Sequence, residues 1–288
     1  MFGFYNINKP VGPTSHDMVA ALRRRLPRRT RVGHAGTLDP FADGVLVVCV
    51  GPATRLAEYV QTRPKTYRAT VRLGATSDTD DPTGTVTPTA AAEPPTTEQV
   101  HQVLARFRGT VRQVPPAHSA VHVNGQRAYR LARRGQPVDL PERTVHVHGL
   151  ELLARREWEL DIEVHCSTGT YIRSLARDIG EALGVGGYCQ SLTRSAVGDF
   201  TLDRAKNPEQ IDLEADVLPA RLAVEHLPQF TLGPDALAAV CQGKQVTLDA
   251  DAPAGPCALL DGRGQLAALG EVPTPGRSVR PKKVFRVS

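Results

Sequence analysis

Residues 157–166, "EWELDIEVHC", alternate without a break: Trp158, Leu160, Ile162, Val164 and Cys166 fall on one side, with acids and a histidine on the other. A period of two is the pattern of a strand with one dry face and one wet face. "TYRATVRL" repeats it, with Tyr67, Ala69, Val71 and Leu73 set against Thr66, Arg68, Thr70 and Arg72. Such strands need a second layer over their apolar side, and the chain supplies helices for it. Thr14 and Asp17 stand at capping-box spacing before Val19, Leu22 and Leu26, until Pro27 stops the helix. Val100, Val103, Leu104 and Phe107 mark a second helix. Ile172, Leu175, Ile179 and Leu183 mark a third, ended by Gly184 and carrying Arg173 in its first turn. "VLVVCV" at 45–50 reads as a buried strand.

The 288 residues fit one large domain with an appendage or two comparable domains, and can bury a core without disulfides. "TGTVTPTAAAEPPTT" is read as a connection. Periodicity fades between about 205 and 235, which places a boundary near residue 225. Beyond it, a short helix ("DALAAVCQG"), "VTL" and a hairpin turning at Asp261-Gly262 predict a small β-rich module. The five cysteines are far apart with no C-x-x-C pair, so they are expected to be reduced and mostly buried. No apolar run reaches membrane-span length and no signal-peptide pattern opens the chain, so a cytoplasmic location is expected.

The net charge of +5 says less than its distribution. Arg23, Arg24, Arg25, Arg28, Arg29 and Arg31 crowd "RRRLPRRTR", and the tail "RSVRPKKVFRVS" also lacks acids. Two separate clusters favour a polyanionic partner over a merely solvated surface. The loop "GHAGTLDPFADGVL" holds Asp39 among glycines and before Pro40, with His34, Thr37 and Asp43 close in sequence. An Asp-Pro turn is commonly structural, yet this convergence of polar groups suits a site. Arg173 is a natural partner for such an acid. Tyr67 and Tyr171 could stack on a base or serve the core. His146 and His148 share a strand face without a ligand cluster beside them, and His118 and His122 lie in a segment unsuited to a helix, so no metal is expected. Neither a P-loop nor a dinucleotide fingerprint occurs in context.

Five segments in order, "NKPVGPTSHD", "GHAGTLDPFADGVL", "KTYRATVRLG", "PPAHSAVHVNGQRAYRLARRG" and "CSTGTYIRSLARDIGEALG", resemble the TruB family of tRNA pseudouridine synthases over residues 4–200. The resemblance implies an α+β fold, with a mixed, mainly antiparallel sheet flanked by helices. It implies a catalytic domain over 1–225 with an RNA-gripping insertion near 115–145, and a PUA-like RNA-binding domain over 226–288. It makes Asp39 the catalytic aspartate, Tyr67 the ring that stacks on the target uracil and serves as a possible base, and Arg173 the ion-pair partner of Asp39. Lys9 and Pro10 match the motif supporting the catalytic loop. His34 matches a residue that helps open the T-loop, Asp81 an acid of the cleft, and Leu192 a segment closing over the base. Tyr171 and the cluster of Arg23, Arg24 and Arg25 are candidate RNA contacts. His118, His122 and Arg130 depart from the family pattern, in the insertion rather than at the reacting centre.

The implied reaction breaks the N1–C1′ bond of uridine, turns the base and rejoins it through C5. The departing base is its own acceptor, so one carboxylate suffices where glycoside hydrolysis generally uses two. Asp39 could act as nucleophile at C1′ or base at C2′. The expected partner is the tRNA T-arm, with no cofactor, no required protein partner and a monomeric state. The alternatives are a guide-RNA-dependent relative and an RNA-folding chaperone.

Overall fold

The computed structural model describes all residues except 92, 120–121, 124–125, 129–130, 132–133, 135, 137–138 and 286–288. In chain order the first half carries β1 (Gly3–Lys9), α1 (Ser15–Arg25), β2 (Val32–His34), β3 (Asp43–Val50), α2 (Ala57–Gln61), β4 (Lys65–Leu73), β5 (Ala75–Ser77), β6 (Val86–Pro88) and α3 (Thr97–Arg106). Then come β7 (Gly109–Gln113), β8 (His122–Val123), β9 (Gln126–Arg127), β10 (Arg143–Arg156), β11 (Glu159–Cys166), α4 (Ile172–Ala182), β12 (Gly187–Val197), β13 (Phe200–Thr201) and β14 (Leu218–Pro219). The chain ends with β15 (Gln229–Thr231), α5 (Pro234–Cys241), β16 (Val246–Ala252), β17 (Gly255–Leu260), β18 (Leu266–Val272) and β19 (Gly276–Val284).

A ten-stranded sheet runs β14-β1-β3-β12-β4-β11-β10-β7, with β2 beside β3 and β13 beside β12. Its pairings are antiparallel except that of β12 with β3. The sequence patterns follow from what covers each part. β4 and β11 pack one face under α3 and α4, where Val71, Leu160, Ile162, Leu175 and Ile179 are buried, each contributing about 1.5–3 kcal/mol by burial. Their other face is wet, and there Arg68 pairs with Glu163 at 2.9 Å and Thr70 bonds Asp161 at 2.8 Å. β1 and β3 are covered on both sides: Tyr5, Ile7, Leu46 and Val48 lie under α1, while Phe4, Val45 and Val47 face the C-terminal strands. That explains the unbroken apolar run of β3.

The capping box on α1 is present, with Thr14 and Asp17 exchanging bonds. Of the cysteines, Cys49, Cys166, Cys189 and Cys257 are buried and Cys241 is exposed, all as free thiols. No helix among the described residues is long and apolar enough to cross a membrane. The C-terminal strands form a five-stranded sheet, β15-β17-β18-β19-β16, and residue 225 lies just ahead of it.

Three expectations need correction. The Thr-Pro-Ala stretch is not only a connection, because β6 within it pairs with β5; exposed side chains hid the strand. The hairpin does not turn on Asp261-Gly262 alone. Its loop spans 261–265, where the Asp261 carboxylate accepts from the Arg263 and Gln265 amides and Gly264 takes the left-handed position (φ +73°). Trp158 precedes β11 rather than belonging to it, and its ring lies where a Cβ on Gly74 would stand, 2.7 Å away.

Gly44 sits where β12 runs parallel to β3, at φ +101°, and a Cβ there would stand 2.4 Å from the Arg194 carbonyl oxygen. Gly44→Ala is therefore expected to cost roughly 2–4 kcal/mol from strain and overlap. Urea unfolding checks this, with Gly262→Ala, which meets nothing within 4 Å, as the control. A near-equal midpoint for both would mean that the strands separate freely at this crossing.

Candidate active site

The loop between β2 and β3 is fixed from several sides. Ser15, only 2% exposed, donates from its Oγ to the Leu38 carbonyl at 2.9 Å and accepts from the Leu38 amide at 2.8 Å. The Gly12 amide donates to the Pro40 carbonyl at 2.7 Å, and the Ala42 amide to that of Asp39 at 3.1 Å. Leu38 is buried in the core beside Phe41 and Ala42. Asp39 thus stands on an anchored turn with about a third (35%) of its side chain exposed.

Arg173, in the first turn of α4 as its sequence position implied, reaches Asp39: Nε to Oδ2 is 3.0 Å. This contact is one of charge without an aligned hydrogen bond. The aligned bonds of the guanidinium go elsewhere, from Nη1 to Asp81 Oδ2 and the Thr79 carbonyl and from Nη2 to the His118 carbonyl, each 3.0 Å. Arg173 is therefore held firmly while the Asp39 lone pairs stay uncommitted. Burial pushes the Asp39 carboxyl above its ordinary range; Arg173 opposes this, Asp81 adds to it, and Arg194 and Lys9 oppose it.

Asp81 is a different kind of acid. Its Oδ1 accepts from the Thr79 hydroxyl and from the amide and hydroxyl of Thr83, its Oδ2 is taken by Arg173, and its side chain is 6% exposed. It holds Arg173 in place and presents no free oxygen. Asp80, its neighbour in the "DTDD" stretch, faces Arg177 at 2.9 Å instead.

Tyr67 packs against the core on the helix-covered face of β4, opposite Arg194 on β12. Burial raises its phenol pKa, with Arg194 opposing. Leu192, opposite Ala69, is buried in the same core. Lys9 is fully buried; its ammonium donates to the Pro10 and Pro13 carbonyls at 2.7 and 2.9 Å, while the Pro10 ring is exposed. Burial lowers the Lys9 pKa against the opposing pull of Asp43 and Asp39. His34, at the end of β2, keeps its Nδ1 buried without a partner among the described residues, and burial lowers its pKa. Tyr171 caps α4; Gln113 bonds its backbone N and O at 2.8 and 2.9 Å, and Arg143 lies 5.5 Å over its ring.

Other candidates stand apart from this centre. Arg23 donates to the Val32 carbonyl, and Arg25 to those of Pro208 and Ile211, so two of the three arginines, all exposed, also brace the protein's own backbone. The imidazoles of His146 and His148 lie 4.7 Å apart, with His165 5.0 Å from His148, on the wet face. His118 is not remote from the centre, because its carbonyl binds Arg173; that bond uses backbone, which any residue offers. His122 lies in β8, a strand as its non-helical setting implied, and Arg130 lies outside the described residues. Sequence reasoning missed Ser15 and Arg194, although an arginine among the inward positions of "SLTRSAV" was a signal.

Ser15→Ala would strand both Leu38 backbone groups. The expected cost is about 1–3 kcal/mol of stability, with exchange of the Leu38 amide accelerated at least about tenfold. Hydrogen exchange by NMR reads this directly, and unchanged protection would show that the loop is held without Ser15.

The family model for the N-terminal domain of TruB family pseudouridylate synthases matches residues 23–172. The chain is 41% identical to tRNA pseudouridine synthase B of Syntrophomonas wolfei, with all of both chains covered. It is 43% identical to that of a Synechococcus strain (98% of this chain, 97% of the relative). It is also similar in structure to a chain of an H/ACA RNP bound to a substrate RNA containing 2′-deoxyuridine (TM-score 0.75, 27% identity, 99% of this chain and 86% of that one). A Cbf5-Nop10-Gar1 complex gives TM-score 0.74 at 30% identity, covering 99% and 85%. With a mainly antiparallel sheet flanked by helices and an anchored aspartate at its centre, this chain belongs to the TruB family of pseudouridine synthases.

Proposed function

We propose that this protein converts the T-loop uridine of tRNA (position 55) to pseudouridine in the cytoplasm, with Asp39 as the reacting carboxylate. One observation carries the reading: of the two acids paired with Arg173, only Asp39 has open oxygens. A hydrolytic pair would need a second available carboxylate to activate water. Asp81 is fully engaged, so the geometry favours a reaction in which the cleaved base is recaptured. The N1–C1′ bond breaks, the base turns over Tyr67, C5 bonds to C1′, the C5 proton leaves to solvent and N1 gains one. Asp39 serves as nucleophile at C1′ or base at C2′, and either role requires its ionised form.

The relatives named for tRNA support that substrate over a guide-selected RNA. The target must leave its stack, and the Tyr67 ring offers a surface in exchange, with Leu192, buried in the same core, assigned to the segment that closes over the base. His34, Tyr171 and Pro10 are assigned to the same RNA-facing side, and the buried Lys9 to support of the loop beneath it. We divide the chain into a catalytic domain (1–225, with the insertion near 115–145) and a PUA-like RNA-binding domain (226–288), acting as a monomer. Recognition of the RNA phosphates falls to the arginines that are not bracing the fold: Arg24, Arg28, Arg29 and Arg31. Arg29, Arg31 and Arg55 line a cleft of about 620 Å³ over Phe285, and no acid lines it.

Asp39→Asn is expected to abolish tritium release from tRNA transcripts labelled at uridine C5, while tRNA affinity stays within about tenfold, or 1.4 kcal/mol. Parallel loss of binding would reassign Asp39 to the RNA site. If the same variant refolds tRNA as well as wild type does, a chaperone role is separable from the chemistry. Replacing Arg24, Arg28, Arg29 and Arg31 by Gln should flatten the dependence of log affinity on log salt by about 0.7–0.9 for each phosphate no longer neutralised. An unchanged slope removes this cluster from the interface.

A further inference from the structure

Arg194 stands at the crossing of the sheet, opposite Tyr67 on β4 and Gly44 on β3. Only 2% exposed, its guanidinium donates from Nε to the Val45 carbonyl at 2.8 Å, from Nη1 to that of Thr37 at 3.2 Å and from Nη2 to that of Gly36 at 3.1 Å. These carbonyls bracket Asp39, two before it and one after. One planar fork thus ties both ends of the catalytic turn to β12. An ammonium of lysine, a point donor on a flexible stem, cannot reproduce that geometry.

The charge of Arg194 is as telling as its bonds. Among the described residues no carboxylate forms an ion pair with it, whereas Arg173 is shared by Asp39 and Asp81. With both acids ionised, that trio carries a net −1, and Arg194 is the buried cation that balances it. A buried, uncompensated guanidinium is costly and persists where surrounding negative charge offsets it. The groups facing Asp39 are Arg173 from α4, Asp81 from the turn after β5, Arg194 and Cys189 from β12, Lys9 from β1 and Tyr67 from β4. Lys9 is drawn first toward Asp43. When an anionic RNA seals the open third of Asp39, desolvation rises and the need for this second cation grows.

We propose that Arg194 is a positioning residue of the isomerisation, clamping the turn that carries Asp39 and keeping its carboxylate ionised in the closed complex. It acts through Asp39 and the loop backbone, without touching the RNA. This rests on the proposed reaction, and its test is built to fail separately from it.

Arg194→Met and Arg194→Lys are compared with wild type by single-turnover tritium release across pH, by tRNA affinity, and by carboxyl-carbon NMR of Asp39 in the free protein. For the Met variant the expected result is about a 100-fold slower reaction, affinity changed less than about threefold, and an acid limb displaced to higher pH. The sign follows because a cation that favours the Asp39 anion has been removed. The Lys variant keeps the charge and loses the fork, so its acid limb should match wild type while its rate falls about tenfold or more.

A Met variant with an unmoved acid limb and an unmoved Asp39 titration overturns the electrostatic role. A Lys variant with full rate overturns the clamp, and remains decisive if the Met variant does not fold. Absence of release by wild type itself would refute the tRNA reaction, while the NMR titration would still judge Arg194.

Discussion

Arg173 is one cation set between two carboxylates, and the site depends on how unequally it serves them. Asp81, locked by two threonines, takes the aligned bond and fixes the guanidinium; Asp39 receives mainly the field. A symmetric arrangement would bind both acids equally and leave neither reactive. Because a buried ion pair gains little net stability after desolvation, this arrangement is better explained by what it does to Asp39 than by what it adds to the fold. Helix α4 places the arginine through the buried side chains of Ile172, Leu175, Ala176 and Ile179, so the geometry of a charge pair is set by hydrophobic packing.

The same logic extends to the turn itself. Asp39 precedes a proline, follows a leucine sunk in the core, and is flanked by a serine from α1 and an arginine from β12. These supports come from different elements, so no single one defines the loop. Preorganisation here is a property of the sheet's middle, where β3, β12 and β4 meet.

How much of this was legible in the sequence depended on the range of the interaction. The alternation at 66–73 and 158–166 reported a half-covered sheet because each strand's own side chains carry that signal, and the continuous run at 45–50 marked a buried strand. Asp39 and Arg173 were each weak signals, a loop acid and a helix-start cation, and the five ordered motifs joined them. What escaped was set by distant partners: β6 pairs by backbone under exposed side chains, and Ser15 and Arg194 act on carbonyls that sequence does not mark. The arginine cluster was legible as charge but not as contacts, since sequence does not say that Arg23 and Arg25 also bond the protein's own backbone.

One apolar core crosses from the large sheet into the small one. Phe4, Val45 and Val47 share it with Ala258, Leu260, Leu266 and Leu269, and Phe2 stacks on Phe285 with ring centres 5.0 Å apart. The tail is thus cemented to the back of the strand that follows the Asp39 turn. Because the two sheets share one core, a load taken up by the C-terminal strands passes directly into β3 and so to the turn that holds Asp39.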